Sequence, residues 1–208
     1  MTEIKSKEQF QVLENLNQLD ILFEIYKLRE AKKKIECKLN SMKRKLKSNF
    51  NSNIKYSLEA LKVIVTEDNS KLNDLTTKVN ANYNLFELAK NLEDNKIYLK
   101  NIENEQKKLR IDPETYEITR GHYLQKIIDT QNNLKQLKNS AISYFKVLKD
   151  DLITLEDQRI VLTTNKMRKN ITKEDFREKM KKVEVSKQKI EEKLAFLQVE
   201  IIDYEFDK

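Results

Sequence analysis

The sequence contains very few of the residues that make tight turns, disulfides and metal sites. Its 208 residues include one Gly, one Pro, one Cys, one His and no Trp. Gly and Pro supply most of the turns that join β-strands, so this composition argues against a sheet of many strands. A lone Cys excludes an internal disulfide, and Cys37 together with His122 is too small a ligand set for an ordinary zinc site within one chain.

The same scarcity argues against catalysis and nucleotide binding. Nucleophilic catalysis needs a nucleophile beside an activating base, but Cys37 and His122 lie on different predicted helices. We interpret His122 as a surface imidazole in the first turn of its helix and Cys37 as an unpaired surface thiol. A phosphate-binding loop needs more than one Gly, and the acidic stretch 68–74 lacks the Gly of an EF-hand loop. The sequence therefore predicts a protein that is not an enzyme and has no cofactor or metal.

Long apolar runs are also missing. Runs such as Ile21-Leu22-Phe23 are too short for a membrane span, and no N-terminal stretch resembles a signal peptide, so a cytoplasmic location is expected. Charged residues make up 36% of the chain and the mean hydropathy is −0.75. That composition occurs both in disordered chains and in chains of exposed helices. The regular spacing of the apolar residues favours helices.

Apolar residues recur in alternating steps of three and four, which is the spacing of coiled-coil-type helix seams. This spacing predicts helices over residues 8–48, 54–66, 70–110, 119–165 and 172–204. The run Val63-Ile64-Val65-Thr66 also suits a strand, but no second strand lies nearby to pair with it. We expect a break at 66–70, and a change in the phase of the apolar stripe within 70–110.

Two sites predict reversals of the chain, near residues 111–118 and 165–171. Asp112-Pro113 is typical of a helix cap followed by Pro at the first helical position. A weak repeat relates residues 118–127 to 171–180 and places Thr119 and Thr172 at the starts of two similar helices.

The predicted fold class is all-α, with long amphipathic helices that form coiled-coil hairpins or an elongated helical bundle. The N-terminal helical region covers 1–110 and contains a long, a short and a second long helix. A C-terminal helical hairpin covers 111–208.

The last predicted helix has the most regular seam. It keeps one register for about four heptads, with Lys187 as its polar member. A clean seam of this length favours association with a partner protein or with a second copy of the chain, which would make the protein a homo-oligomer. The alternative is that the helix packs only on residues 119–165 of its own chain. The predicted partner-binding residues are Phe176, Met180, Val183, Ile190, Leu194, Leu197, Ile201 and Tyr204.

Positive charge concentrates in one helical stretch. Residues 26–50 carry ten Lys or Arg against two Glu, whereas the whole chain has a net charge of +7. Such a stretch suits the phosphates of nucleic acid or of an anionic membrane, although no aromatic side chain lies between Tyr26 and Phe50 to stack on bases. A solvated flank of the seam is the plain alternative. The possible anion-binding residues are Lys32, Lys33, Lys34, Lys38, Lys43, Arg44, Lys45 and Lys47.

Taken together, these patterns predict a non-catalytic coiled-coil scaffold or adaptor that acts through helix–helix contacts between proteins. The alternative is an electrostatic binder of nucleic acid or of an anionic membrane through the basic helix 27–47. That helix resembles the basic first helix of the ESCRT-III membrane-remodelling proteins. However, residues 166–193 are basic, where those proteins are usually acidic, and no motif ties the chain to a family.

Overall fold

The protein is an all-α helical bundle. The computed structural model describes residues 2–48 and 52–205, with side chains described over 14–47 and 52–205. The structure is 91% helical, and the described residues form no strand. The helices are α1 (Thr2–Ser48), α2 (Ser52–Lys78), α3 (Leu85–Lys107), α4 (Pro113–Met167) and α5 (Lys173–Phe196). A 3-10 turn, Ala81–Tyr83, precedes α3, and α5 continues as a π-helical segment, Leu197–Ile202.

The chain folds as two compact units, Met1–Asn84 and Leu85–Lys208. In the first unit α1 and α2 pack side by side and run antiparallel. The Gln18 side chain shows the direction, because it accepts a hydrogen bond from the Asn80 backbone N–H at 2.8 Å and lies 3.4 Å from the Lys78 carbonyl. The Tyr83 hydroxyl donates to the Asn15 side chain in the same region. The early part of α1 therefore holds the end of α2.

In the second unit, α4 is the central helix. Its 55 residues extend about 82 Å at 1.5 Å per residue. The antiparallel α3 packs on its N-terminal part, where the rings of Tyr98 and Tyr123 stack at 5.6 Å. The antiparallel α5 packs on its C-terminal part, and the π-helical segment also packs on α4. The best buried side chains of this unit are Leu134, Leu137, Ala141, Leu197 and Ile201.

The two turns that flank α4 have the same geometry. Leu109 and Lys169 both adopt left-handed backbone conformations, with φ of 54° and 59°. In each turn the next residue closes the preceding helix, since the Arg110 N–H donates to Glu105 at 3.1 Å and the Asn170 N–H donates to Asn165 at 2.9 Å. This is the Schellman arrangement that satisfies the last carbonyls of a helix.

A helix cap follows each of these turns. The Asp112 side chain accepts the Thr115 N–H at 2.9 Å, and the Thr172 hydroxyl accepts the Asp175 N–H at 3.1 Å. The two helix starts with the same geometry are therefore Ile111-Asp112 and Ile171-Thr172, and Tyr116 corresponds in position to Phe176. The match of 118–127 with 171–180 does not relate two helix starts, because α4 begins at Pro113, before Thr119.

Thr119 and His122 accordingly lie in the interior of α4, and their predicted positions at a helix start are wrong. The Thr119 hydroxyl donates to the Thr115 carbonyl at 2.7 Å, one turn earlier in the same helix. A β-branched polar residue can satisfy its hydroxyl in this way without ending the helix.

The predicted break at 66–70 is also wrong, since α2 continues to Lys78. The Thr66 hydroxyl donates to the Lys62 carbonyl at 3.0 Å, so this polar side chain is satisfied inside the helix. The seam of Leu58, Leu61 and Val65 continues in the same register through Leu72 and Leu75. The predicted single helix over 70–110 is wrong as well, because α2 ends at Lys78 and α3 begins at Leu85. The two phases of the apolar stripe belong to these two separate helices, which need not share a register. The strand alternative at 63–66 is likewise wrong, since these residues lie within α2.

The observed units divide the chain at a different place from the predicted domains. The predicted boundary between 110 and 111 falls in the turn between α3 and α4, which pack on one another. Compact packing alone does not establish domains that fold independently, so the division into 1–110 and 111–208 stays a prediction.

We expect Thr172→Ala to destabilise the protein by about 1 kcal/mol, because it removes the side-chain acceptor at the start of α5. Thr119→Ala is the matched control, and we expect it to change the free energy of unfolding by less than about 0.5 kcal/mol. Denaturant unfolding followed by circular dichroism measures both values. Equal losses for the two variants would contradict the assignment of the caps.

Candidate helix-helix interface

The structure places the predicted seam of the last helix against α4 of the same chain. Val183, Leu197 and Ile201 are buried, whereas Tyr204 lies beyond the helix and is exposed. The half-buried members are Phe176, Met180, Ile190 and Leu194. A role of these residues in binding a partner stays a prediction, and the packing on α4 leaves little of the seam accessible.

Lys187 forms a polar layer within this seam. Its ammonium donates to Glu156 on α4, and Glu156 also forms an ion pair with Arg159 at 3.0 Å. The hydrogen bond from Lys187 is the main cause that lowers the pKa of Glu156 below its ordinary value, and the charge of Arg159 contributes. Lys187, the polar residue of the predicted seam, is therefore paired with a residue of the same chain.

A groove of 490 Å³ lies between α4 and α5 near the turn that joins them. Val161 and Leu162 of α4 and Val183 of α5 supply apolar walls. Lys179 and Lys182 line the α5 side. Lys182 is paired with Glu178 at 2.6 Å.

An exposed apolar stripe on α4 consists of Ile153, Ile160 and Met167, and we call it the α4 stripe. These side chains are 62%, 59% and 78% exposed. Residues seven apart lie on one face of a helix. This face is separate from the α4 seam that packs on α5, in which Leu148 is buried. The exposed Val161 lies next to Ile160 in the sequence and also lines the groove.

The α4 stripe lies outside the strongest apolar register of its helix, which is the one that predicts the seam, so the seam pattern alone does not indicate it. The signal was present, since Ile153, Ile160 and Met167 repeat at seven-residue intervals out of phase with Leu148, Leu155 and Leu162. A second stripe on one helix indicates a second contact surface.

The possible anion-binding residues lie along the second half of α1. Lys32 is half-buried and lies 3.9 Å from Glu36, and Lys33 lies 4.0 Å from Glu30. The six others are exposed. They occupy several faces of α1 and do not converge on one point.

His122 and Cys37 lie on different helices. His122 is exposed on α4 with its ring centroid 5.7 Å from that of Tyr123, and Cys37 is exposed on α1. In the described part of the chain, no three His, Cys, Asp or Glu side chains gather as a metal site. Of the helices that the structure describes, none combines the length and apolar character of a membrane span.

This arrangement defines a protein of paired antiparallel helices with exposed apolar faces. No family model matches the chain, and no match was found among curated proteins or solved structures.

Proposed function

We propose that the protein is a non-catalytic helical scaffold that self-associates through coiled-coil-type contact of α4. The α4 stripe carries this proposal. Its three large apolar side chains stand at heptad spacing on a helix whose other face is already packed. Burying exposed apolar side chains of one face against a second helix removes them from water and so favours association.

A second copy of the chain is the occupant that suits this stripe. Ile153 and Met167 are equally distant from Ile160, so two antiparallel copies of α4 can cross at Ile160. That pairing sets Ile153 of one copy against Met167 of the other, as a two-fold interface requires. It also brings the exposed Asp150 of one copy close to the exposed Arg168 of the other.

The stripe is short, so we expect a dimer that dissociates on dilution. In this arrangement the predicted partner-binding residues of α5 act indirectly, because they hold α5 on the seam face of α4. The basic residues of α1 are not involved. Raising the salt concentration should therefore leave most of the dimer intact, whereas binding to phosphates would collapse.

The test is the molar mass in solution, measured by light scattering over a range of protein concentrations. We expect the wild type to approach twice the monomer mass at high concentration. The double variant Ile153→Asp with Ile160→Asp should stay monomeric and fully helical, because both residues are already exposed.

The matched control is Val185→Asp with Val199→Asp, which places two carboxylates at exposed apolar positions outside α4. It should dimerise as the wild type does. A monomeric wild type at the highest concentration would contradict the proposal, and so would loss of the dimer in the control alone.

A further inference from the structure

The paired helices α1 and α2 bring basic and apolar side chains together on one side. Their seam includes Ile35, Leu39, Met42 and Leu46 on α1 and Ile54, Leu58, Leu61 and Val65 on α2. Antiparallel helices are related by an approximate two-fold axis perpendicular to both. In each helix, the residue directly before a seam residue lies to one side of the seam. Because of the two-fold axis, this is the same side of the helix pair for α1 and for α2.

On this side α1 presents Lys34, Lys38 and Lys45, and α2 presents Ala60 and Ile64. The outer surface of α2 adds Tyr56 and Val63, which with Ala60 follow the spacing i, i+4, i+7 of one helix face. Tyr56 is 72%, Val63 57% and Ile64 41% exposed. We call this set of residues the mixed face: Lys34, Lys38, Lys45, Tyr56, Ala60, Val63 and Ile64.

The opposite side of the pair has a different character. The residues that follow the seam there are polar or charged: Glu36, Asn40, Lys43, Lys47, Lys55, Glu59 and Lys62. Some of these charges are neutralised locally, since Lys62 lies 2.9 Å from Glu59 and Glu36 lies 3.9 Å from Lys32. The large exposed apolar side chains of this helix pair thus lie on the side of Ile64 and on the outer surface of α2, and none lies on the opposite side among the described residues.

Lys34 and Lys38 keep the positive charge of the mixed face available for a ligand. Among the described side chains, none forms an ion pair with Lys34 or Lys38. Both belong to the stretch 26–50, which carries ten basic and two acidic residues. An uncompensated positive surface attracts polyanions.

We propose that the mixed face binds the surface of an anionic lipid bilayer. Lysine ammonium groups would meet the headgroup phosphates and carboxylates, while Tyr56, Val63 and Ile64 enter the boundary between headgroups and acyl chains. Basic residues next to aliphatic and aromatic ones are the combination by which helices lie in a membrane interface. This binding is independent of the α4 dimer.

Nucleic acid supplies phosphates as well, but it fits the mixed face less well. A nucleic acid ligand would satisfy the lysines and leave Val63 and Ile64 in water, since aliphatic side chains do not stack on bases. A lipid surface accepts both kinds of side chain. The apolar contribution therefore distinguishes the two ligands.

The first experiment uses the absence of Trp from the chain. Tyr56→Trp places a single indole on the mixed face, in exchange for an exposed aromatic side chain. We expect its emission to move to shorter wavelength on vesicles of phosphatidylcholine with about one third phosphatidylserine, and to stay unchanged on pure phosphatidylcholine. Val185→Trp, in the second unit, is the control and should not respond to either vesicle.

The second experiment measures co-sedimentation with the same vesicles. Lys34→Gln with Lys38→Gln should lower the partition coefficient roughly 25-fold, at about fivefold for each cation near the surface. Lys43→Gln with Lys47→Gln removes the same charge from the opposite side and should lower it less. Val63→Ser with Ile64→Ser should lower it at least about tenfold, from loss of apolar burial.

Equal losses for the two lysine pairs would overturn the assignment to the mixed face. No binding to anionic vesicles by the wild type would overturn the proposal, as would an unchanged affinity in Val63→Ser with Ile64→Ser. A third outcome would also overturn the proposal: the protein binds a duplex oligonucleotide, and the indole emission of Tyr56→Trp does not shift on lipid vesicles. The lysines would then be assigned to nucleic acid binding. Helix content by circular dichroism confirms that each variant is folded.

Discussion

Replacing Leu194 and Leu197 with Asp should unfold the second unit, whatever the oligomeric state of the protein. Leu197 is 1% exposed and packs in the core that α4 shares with the π-helical segment. A carboxylate at this position would lose its hydration without gaining a partner, at a cost of about 4 kcal/mol or more. If the seam met a partner instead, which is one of the two alternatives that the sequence leaves open, this variant would stay helical and lose only the partner.

Thermal unfolding followed by circular dichroism measures the effect. Val199→Asp is the matched control, because Val199 lies in the same segment and is exposed. We expect it to melt close to the wild type. A milder change, Leu197→Ala, should cost about 2–5 kcal/mol through the cavity that it leaves. A Leu194→Asp with Leu197→Asp variant that melts like the wild type while its molar mass halves would show that the seam is an intermolecular surface after all.

Reversing the charge of Lys187 should destabilise the contact of α4 with α5. Lys187→Glu sets a carboxylate against Glu156 in a half-buried layer, where repulsion is screened less than on the open surface. We expect the melting midpoint to fall by several degrees. Combining Lys187→Glu with Glu156→Lys should recover most of this loss but not all of it, because Arg159 would then face a lysine.

The same pair predicts a dependence on pH. Hydrogen bonding from Lys187 lowers the pKa of Glu156, so the folded state favours the carboxylate. Its contribution to stability is present above the ordinary pKa of 4.5 and is lost as the pH falls through the lower pKa of the folded state. The stability difference between the wild type and Glu156→Gln should therefore shrink on acidification. A stability difference that stays constant from neutral to acidic pH would contradict the role of this pair. So would a double variant, Lys187→Glu with Glu156→Lys, that is no more stable than Lys187→Glu alone.

Local features of the sequence determined much of the secondary structure. Near-absence of Gly and Pro together with apolar periodicity predicted an all-α protein, and the structure confirms it. Asp112-Pro113 and Thr172 act over one helical turn, so their capping roles could be predicted from neighbouring residues alone. The same reasoning failed at Thr66 and Thr119, because a threonine hydroxyl can bond to its own helix as well as cap one.

The tertiary structure decided which surface each stripe meets. A heptad seam indicates that a helix packs on an apolar partner, but it does not indicate whether that partner is in the same chain. The seam of Val183, Leu197 and Ile201 is buried by α4, whereas Ile153 and Ile160 remain exposed although their spacing is equally regular. The mixed face depends in the same way on how α1 pairs with α2. Lys38 and Ile64 lie on one side only because the helices are antiparallel, and that orientation is set by contacts between residues far apart in the sequence, such as Gln18 with Asn80.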